Sequence, residues 1–254
     1  MTTHLLTVRD LSVSYGDRRV SFVPELTVGA GECVAIVGES GSGKTSALLA
    51  LLGLHPGARV SGVVDMFGTE DVLAERSRLT GLLGRRVALI SQSPISALNP
   101  TMRLGRFAEV VLRKHGRSRA EARAQITAAL SAVSLAPDIL TRYPHQVSGG
   151  QAQRFAIALA VELIVADEPT SALDVTVQAE IVALLASLRR DRGMGLLIVS
   201  HDIALVSGLA DRIIVMKDGE VVEAGPTRSV IGNPTTDYAR ALIGAVPQIG
   251  GSTS

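Results

Sequence analysis

Aromatic residues are scarce in this chain of 254 residues, which has no tryptophan, three tyrosines and four phenylalanines. That leaves too few flat rings for the platform on which single-strand nucleic-acid binders stack successive bases. Charge is nearly balanced, with 25 Lys and Arg against 24 Asp and Glu, and the formal net charge of +1 favours neither nucleic acid nor an acidic partner. The single cysteine, Cys33, excludes an intrachain disulfide and a multi-cysteine metal site and fits a reducing compartment. Inside its apolar run it reads as a small core residue. Mean hydropathy is high at +0.32, yet no apolar run approaches the ~20 residues that span a bilayer. The N-terminus lacks the basic start and apolar stretch of a signal peptide. The expectation is a protein neither integral nor secreted by that route, with room for an apolar docking surface. The length suits one large domain or a core with an inserted subdomain.

What the chain does carry is centred on Gly38-Glu39-Ser40-Gly41-Ser42-Gly43-Lys44-Thr45. Gly, four residues, then Gly-Lys-Ser/Thr is the pattern of a phosphate-binding loop. Its glycines let the backbone curl so that successive N–H groups point inward as donors. A helix opening there adds unpaired N–H groups and partial positive charge. Lys44 would reach the β- and γ-phosphates, and the Thr45 hydroxyl would ligate Mg²⁺. The flanks fit: Cys33-Val34-Ala35-Ile36-Val37 reads as a buried strand, and Ser46-Ala47-Leu48-Leu49-Ala50-Leu51-Leu52 as a helix ending near Gly53.

Residues 4–15 alternate as an edge strand or two, closing at Tyr15 before the Gly16-Asp17 turn signal. Tyr15 is either an ordinary strand aromatic or a ring for stacking on a purine. Strands are also expected over 24–28, 60–67 and 85–92. Residues 93–161 then show no convincing strand. Leu104, Phe107, Ala108 and Val111 fall at helical spacing, as do Ala122, Ile126, Ala129 and Val133 behind a capping box at Ser118 and Glu121. Strand character returns at 163–168 and 196–201, separated by a helix with Val177, Ile181, Leu184, Leu185 and Leu188 on one face. Asp218-Gly219 between two apolar runs signals a hairpin. Residues 233–247 read as one short helix, and 250–254 as a frayed end.

Gln92, Asp167, Glu168 and His201 all fall at the C-terminal ends of buried-type strands. Ligands of open parallel sheets bind at that edge. An acidic pair there can simply cap the next helix. Beside a phosphate loop it can do more: Asp167 would bind Mg²⁺ directly or through water, Glu168 would face an attacking water, and His201 could bond the γ-phosphate. Gln92 could contact both the metal and that water. Phosphoryl transfer asks chiefly for such positioning and charge stabilisation. A second Gly-rich turn, Val147-Ser148-Gly149-Gly150-Gln151, opens a helix in the helical stretch and is another anion-binding candidate.

With these motifs in this order, nearly the whole chain resembles the ABC transporter ATPase family. The resemblance implies a P-loop α/β core with an N-terminal β subdomain and an inserted helical subdomain: core 1–92 and 162–232, helical part 93–161, C-terminal extension 233–254. It implies ATP and Mg²⁺ as ligands. Tyr15 matches the adenine-stacking aromatic, residues 38–45 the phosphate loop and Gln92 the Q-loop. Asp167 and Glu168 match the Mg²⁺ aspartate and catalytic glutamate, Ser171-Ala172-Leu173-Asp174 the D-loop and His201 the switch histidine. The turn Ser148-Gly149-Gly150-Gln151 matches the signature, with Val147 in place of the usual Leu. In the family that turn completes the opposite subunit's site in a head-to-tail dimer.

Gln92-Ser93-Pro94-Ile95-Ser96-Ala97-Leu98-Asn99-Pro100, Arg142-Tyr143-Pro144-His145-Gln146 and the tail with Asn233-Pro234 and Tyr238 resemble the peptide and nickel importer branch; Thr235-Thr236-Asp237 departs from its usual His-Pro form. The branch implies an importer ATPase on the cytoplasmic side of the membrane, paired with two permease subunits, a related second ATPase and, indirectly, an extracytoplasmic substrate-binding protein. The alternatives are a nucleotide-binding regulatory subunit without turnover and a soluble ABC ATPase acting on nucleic acid or ribosomes. Neutral charge and the absence of basic arms argue against the latter. Relatives carry a longer connection between the signature helix and the strand ending at Asp167; about four residues, roughly one helical turn, are missing here. The helix is therefore expected to unwind near 159–162.

Overall fold

A computed structural model describes residues 4–113, 116, 118–160 and 162–245. The expected frayed end at 250–254 and the last residues of the expected tail helix lie outside these. The strands are β1 (His4–Tyr15), β2 (Arg18–Gly29), β3 (Cys33–Val37), β4 (Arg59–Met66), β5 (Val87–Ile90), β6 (Leu163–Asp167), β7 (Gly195–Ser200), β8 (Arg212–Lys217) and β9 (Glu220–Pro226). They form one sheet in the order β4-β1-β2-β9-β8-β3-β7-β6-β5. The helices are α1 (Lys44–Leu51), α2 (Arg76–Leu82), α3 (Pro94–Ala97), α4 (Leu104–Arg113), α5 (Arg119–Ala132), α6 (Gly149–Ala158), α7 (Val175–Arg192), α8 (Ile203–Ser207), α9 (Thr227–Gly232) and α10 (Asp237–Gly244).

The sheet has two characters. β4, β1 and β2 pair antiparallel, whereas β8, β3, β7, β6 and β5 run parallel. The parallel strands are near-continuous apolar runs because both faces are covered. Their side chains alternate between two cores. Cys33, Ala35 and Val37 face the helices α4 to α7, while Val34 and Ile36 face α1 and the antiparallel strands. Cys33 is fully buried, and burial pushes its thiol up to about 12, which leaves it inert as a nucleophile.

Several expectations need correction. β1 is interior, flanked by β2 and β4, and not an edge. Its run is kinked where the pairing shifts at Asp10, which has φ 51 and lies across from Pro24. Pro24 therefore does not start β2, which begins at Arg18. β5 is shorter than the expected 85–92, because the Arg85 and Arg86 N–H groups both turn back to the Leu82 carbonyl. The described part of the tail, 233–245, holds one short helix as expected, α10, and the separate short helix α9 precedes it. The hairpin holds as expected, with Asp218 and Gly219 both at positive φ. The capping box of α5 is present in both directions.

The shortened connection behaves as the spacing requires. α6 ends at Ala158, with Leu159 and Ala160 N–H groups closing onto Ala156 and Ile157. The chain is then locked to the sheet at Glu162. Its N–H bonds the Arg86 carbonyl, and its carbonyl accepts the Gly195 N–H. Its carboxylate takes both the Nε and Nη2 of Arg86 at 2.6 Å, and Arg86 also lies over the Phe67 ring at 3.9 Å. These hydrogen bonds hold the Glu162 carboxyl below its ordinary range. A group depressed in the folded state stabilises above its unfolded pKa, and that contribution disappears as pH falls through the folded value. Both side chains are more than a third exposed, so the contribution is discounted for solvent. Glu162→Gln is expected to lose about 0.5–1 kcal/mol at pH 7. Urea unfolding at pH 7 and in acid should show the two proteins converging as pH drops.

Candidate active site

In the parallel strands Ile90 pairs with Ala166, Asp167 with Val199, and Val37 with Ser200. The chain therefore leaves the sheet at one level from four strands. Each exit carries a polar group. The result is one cleft of about 430 Å³ lined by Ser40, Thr45, Gln92, Asp167, Glu168 and His201. Six of the residues singled out from the sequence meet there, although they are spread over more than half of the chain.

The phosphate loop is a closed curl. Gly38, Gly41 and Gly43 have φ of 154, 83 and 94. A Cβ on Gly43 would overlap the Val20 carbonyl oxygen, and one on Gly38 the Met216 carbonyl oxygen. The Lys44 ammonium is held by the Gly38 carbonyl at 2.9 Å, the Glu39 carbonyl at 2.7 Å and the Ser42 hydroxyl at 3.3 Å. Burial pushes Lys44 below its ordinary range, opposed by the charges of Glu168, Asp167 and Glu39. The underside of the loop rests on the β8–β9 hairpin, where the Gly219 N–H donates to the Ser42 carbonyl at 3.1 Å. Sequence reading took Asp218-Gly219 for a turn alone and missed this support.

Thr45 Oγ1 donates to Asp167 Oδ1 at 3.0 Å. Burial raises the Asp167 carboxyl above its ordinary range; the Thr45 bond and Lys44 work against this, and the Glu168 charge adds to it. A hydroxyl, a carboxylate and the Gln92 amide are hard oxygen donors suited to Mg²⁺. Among the described residues no group of three or more His, Cys, Asp or Glu could hold a metal alone. Such a sparse donor set fits a cation shared with substrate phosphates. Glu168 has φ 47, a strained value for a non-glycine residue. Its N–H donates to the Val199 carbonyl at 2.9 Å, and Ser171 bonds its carbonyl through both N–H and hydroxyl. The strained turn aims the carboxylate at His201, with Glu168 Oε2 2.9 Å from Nδ1. Gln92 lies two residues beyond β5 and not at its last position.

The chain belongs to the ABC transporter ATPase family.

The family model for ABC transporters matches residues 23–171. The dipeptide transport ATP-binding protein DppD of Haemophilus influenzae is 42% identical over 96% of this chain and 78% of its own length. The oligopeptide transport ATP-binding protein OppD of Salmonella typhimurium is 40% identical over 96% and 77%. Among solved structures, the dimeric bacterial ABC transporter cassette MJ0796 is 29% identical with a TM-score of 0.76, over 88% of this chain and 99% of that one. CbiO1 from Clostridium perfringens matches the fold at a TM-score of 0.78, with 24% identity and 91% of each chain covered. The chain is thus an ABC-type ATPase of the peptide-importer branch.

The remaining motif residues of this ABC ATPase lie outside the six-residue cleft. Tyr15 ends β1 beside the hairpin turn, paired with Arg18 and 45% exposed. Ser148 caps α6, its hydroxyl accepting the Gln151 N–H while Gln151 Oε1 takes the Ser148 N–H. A Cβ on Gly150 would lie 2.7 Å from Val177 Cγ1, and one on Gly149 3.3 Å from Leu173. Close packing against Val177 at the start of α7 therefore leaves no room for a Cβ at Gly150, whereas Gly149 meets only the movable end of the Leu173 side chain. Asp174 caps α7 through Val177 N–H at 3.0 Å, so its carboxylate is already engaged within the chain.

Proposed function

We propose that this ATPase powers an importer of peptides or nickel. ATP binding closes a head-to-tail dimer, hydrolysis opens it, and the motion drives two permease subunits on the cytoplasmic face of the membrane. A related second ATPase and an extracytoplasmic binding protein complete the system. The observation that carries this reading is the single cleft uniting Thr45, Asp167, Glu168, His201, Gln92 and Ser40, together with peptide-importer relatives spanning nearly the whole chain. The signature turn, Ser148 to Gln151, does not line that cleft. A second subunit facing this one head-to-tail would supply the missing wall.

The residues divide the work. Backbone N–H groups of 40–45 and the Lys44 ammonium hold the phosphates, and Tyr15 stacks on the base. Thr45, Asp167 and Gln92 hold Mg²⁺, which neutralises phosphate charge when bound. Glu168 orients the attacking water and accepts its proton, while His201 keeps that carboxylate in place and reaches the transferred phosphoryl group. Ser148, Gly149, Gly150 and Asp174 act across the dimer. A groove of about 280 Å³ lined by Leu83, Leu89, Pro94, Leu98, Phe107 and Leu159 adjoins the segment after Gln92 and suits an apolar permease helix. No helix among the described residues is long and apolar enough to cross a membrane, so the permease would supply the span.

The test is Mg²⁺-dependent ATP hydrolysis by the purified chain, alone and mixed with its candidate partner ATPase. Activity rising more than linearly with protein concentration is expected if like subunits pair. Activity only in the mixture would identify an obligate heterodimer. Nucleotide binding with no hydrolysis in either case would overturn the transport-ATPase reading in favour of a regulatory subunit.

A further inference from the structure

The C-terminal helix reaches the phosphate loop. Tyr238, on α10, accepts the Glu39 N–H on its hydroxyl at 3.0 Å. That N–H belongs to the same planar peptide as the Gly38 carbonyl, which holds the Lys44 ammonium at 2.9 Å. One rigid peptide plane therefore has Tyr238 at its donor end and Lys44 at its acceptor end. Rotating it would break both bonds together. The next carbonyl, of Glu39, holds the same ammonium at 2.7 Å.

The helix that carries Tyr238 is firmly anchored. The Thr235 and Thr236 N–H groups and the Thr236 hydroxyl all bond the Glu223 carboxylate on β9. Thr236 also caps α10, Ala239 is fully buried, and Lys217 at the end of β8 lies over the Tyr238 ring at 5.1 Å. β9 belongs to the hairpin whose Gly219 N–H supports Ser42. Loop, hairpin and C-terminal helix thus close a ring of contacts. Burial raises the phenol above its ordinary range, so the hydroxyl stays neutral at physiological pH.

We propose that Tyr238 is a positioning residue for nucleotide binding: its hydroxyl fixes the Gly38–Glu39 peptide and, through it, the Lys44 ammonium. The proposal rests on the reading of residues 38–45 as the ATP phosphate site. Gly38 has no side chain to resist rotation, and the Tyr238 bond supplies that resistance. Without it, the loop must order itself when ATP arrives, and affinity falls by that cost. The C-terminal segment, otherwise remote from the chemistry, thereby becomes a place from which ATP affinity can be set.

The test compares the full chain with Tyr238→Phe, which keeps the ring over Lys217 and removes only the acceptor oxygen. Titration with ATP is expected to show a Kd raised roughly 2–10-fold, the range one neutral hydrogen bond supplies. Turnover at saturating ATP should be unchanged. Hydrogen exchange should be faster at the Glu39 amide, with protection across α10 retained. A Kd equal to or below that of the unmutated chain would overturn the proposal. So would a raised Kd accompanied by lost protection throughout α10, which would mark a structural role. Failure of the unmutated chain to bind ATP would instead strike at the nucleotide site itself, and that result is read separately from the variant.

Discussion

Glu168→Gln should lower ATP turnover by roughly 10²–10⁴-fold, the range contributed by a positioned general base, and leave ATP affinity unchanged. The amide keeps the size and shape of the carboxylate and can still accept a hydrogen bond from His201, so the 2.9 Å contact survives. The positive φ at position 168 is held by backbone bonds to Val199 and Ser171, which the substitution does not touch. Only the ability to take a proton is lost. Single-turnover hydrolysis and an independent ATP titration separate the two quantities. Unaltered turnover would remove Glu168 from the base role and place proton transfer with another group at the cleft. A matched loss of affinity would instead mean that Glu168 shapes the nucleotide site.

The second large effect is expected at Gly43. Gly43→Ala places a methyl group on the Val20 carbonyl oxygen and requires φ near 94 from a residue with a Cβ. The backbone strain costs about 1–3 kcal/mol, and the overlap about as much again. Val20 is the extra residue of β2 at its register shift against β1, between the pairs Val13–Ser21 and Ser14–Arg19, where the ladder is already interrupted. The adjustment is therefore shared between this bulge and the loop. Lys44 follows Gly43 directly, and Thr45 and the opening turn of α1 move with it. ATP affinity should drop roughly 10²-fold or more, as expected for a loss of about 3 kcal/mol. Melting temperature should fall less, since the loop lies outside both cores. ATP titration beside a thermal melt checks the split, and a variant that binds ATP normally would refute the account of the loop.

Much of this was legible in the chain itself. The phosphate loop declares its conformation through three glycines at positive φ, two of which, Gly38 and Gly43, also have no room for a Cβ. The acidic pair at the end of β6 and the histidine after β7 close runs too apolar to be anything but buried parallel strands. The antiparallel strands were harder to read. Pro24 reads as the start of a strand, whereas it lies inside β2 across from Asp10, where β1 has positive φ and its pairing with β4 shifts. β5 was overextended because Arg85 and Arg86 precede apolar residues without interruption, and only the backbone bonds to Leu82 show the turn. The Tyr238 contact could not be read at all. It joins positions 199 residues apart through a backbone amide, and a backbone amide has no sequence signature.

The alternation along β3, β6, β7 and β8 sets how the molecule comes apart. Each of these strands gives one face to the core under the helices and the other to the core under the antiparallel strands. The two cores are thus built on opposite sides of the same backbone, and melting either one strips the ladder that orders the other. The two apolar interiors are therefore expected to melt together, with partial opening favoured in what lies outside the shared strands. The loops at their C-terminal ends, where the nucleotide chemistry is gathered, can rearrange without drawing on global stability.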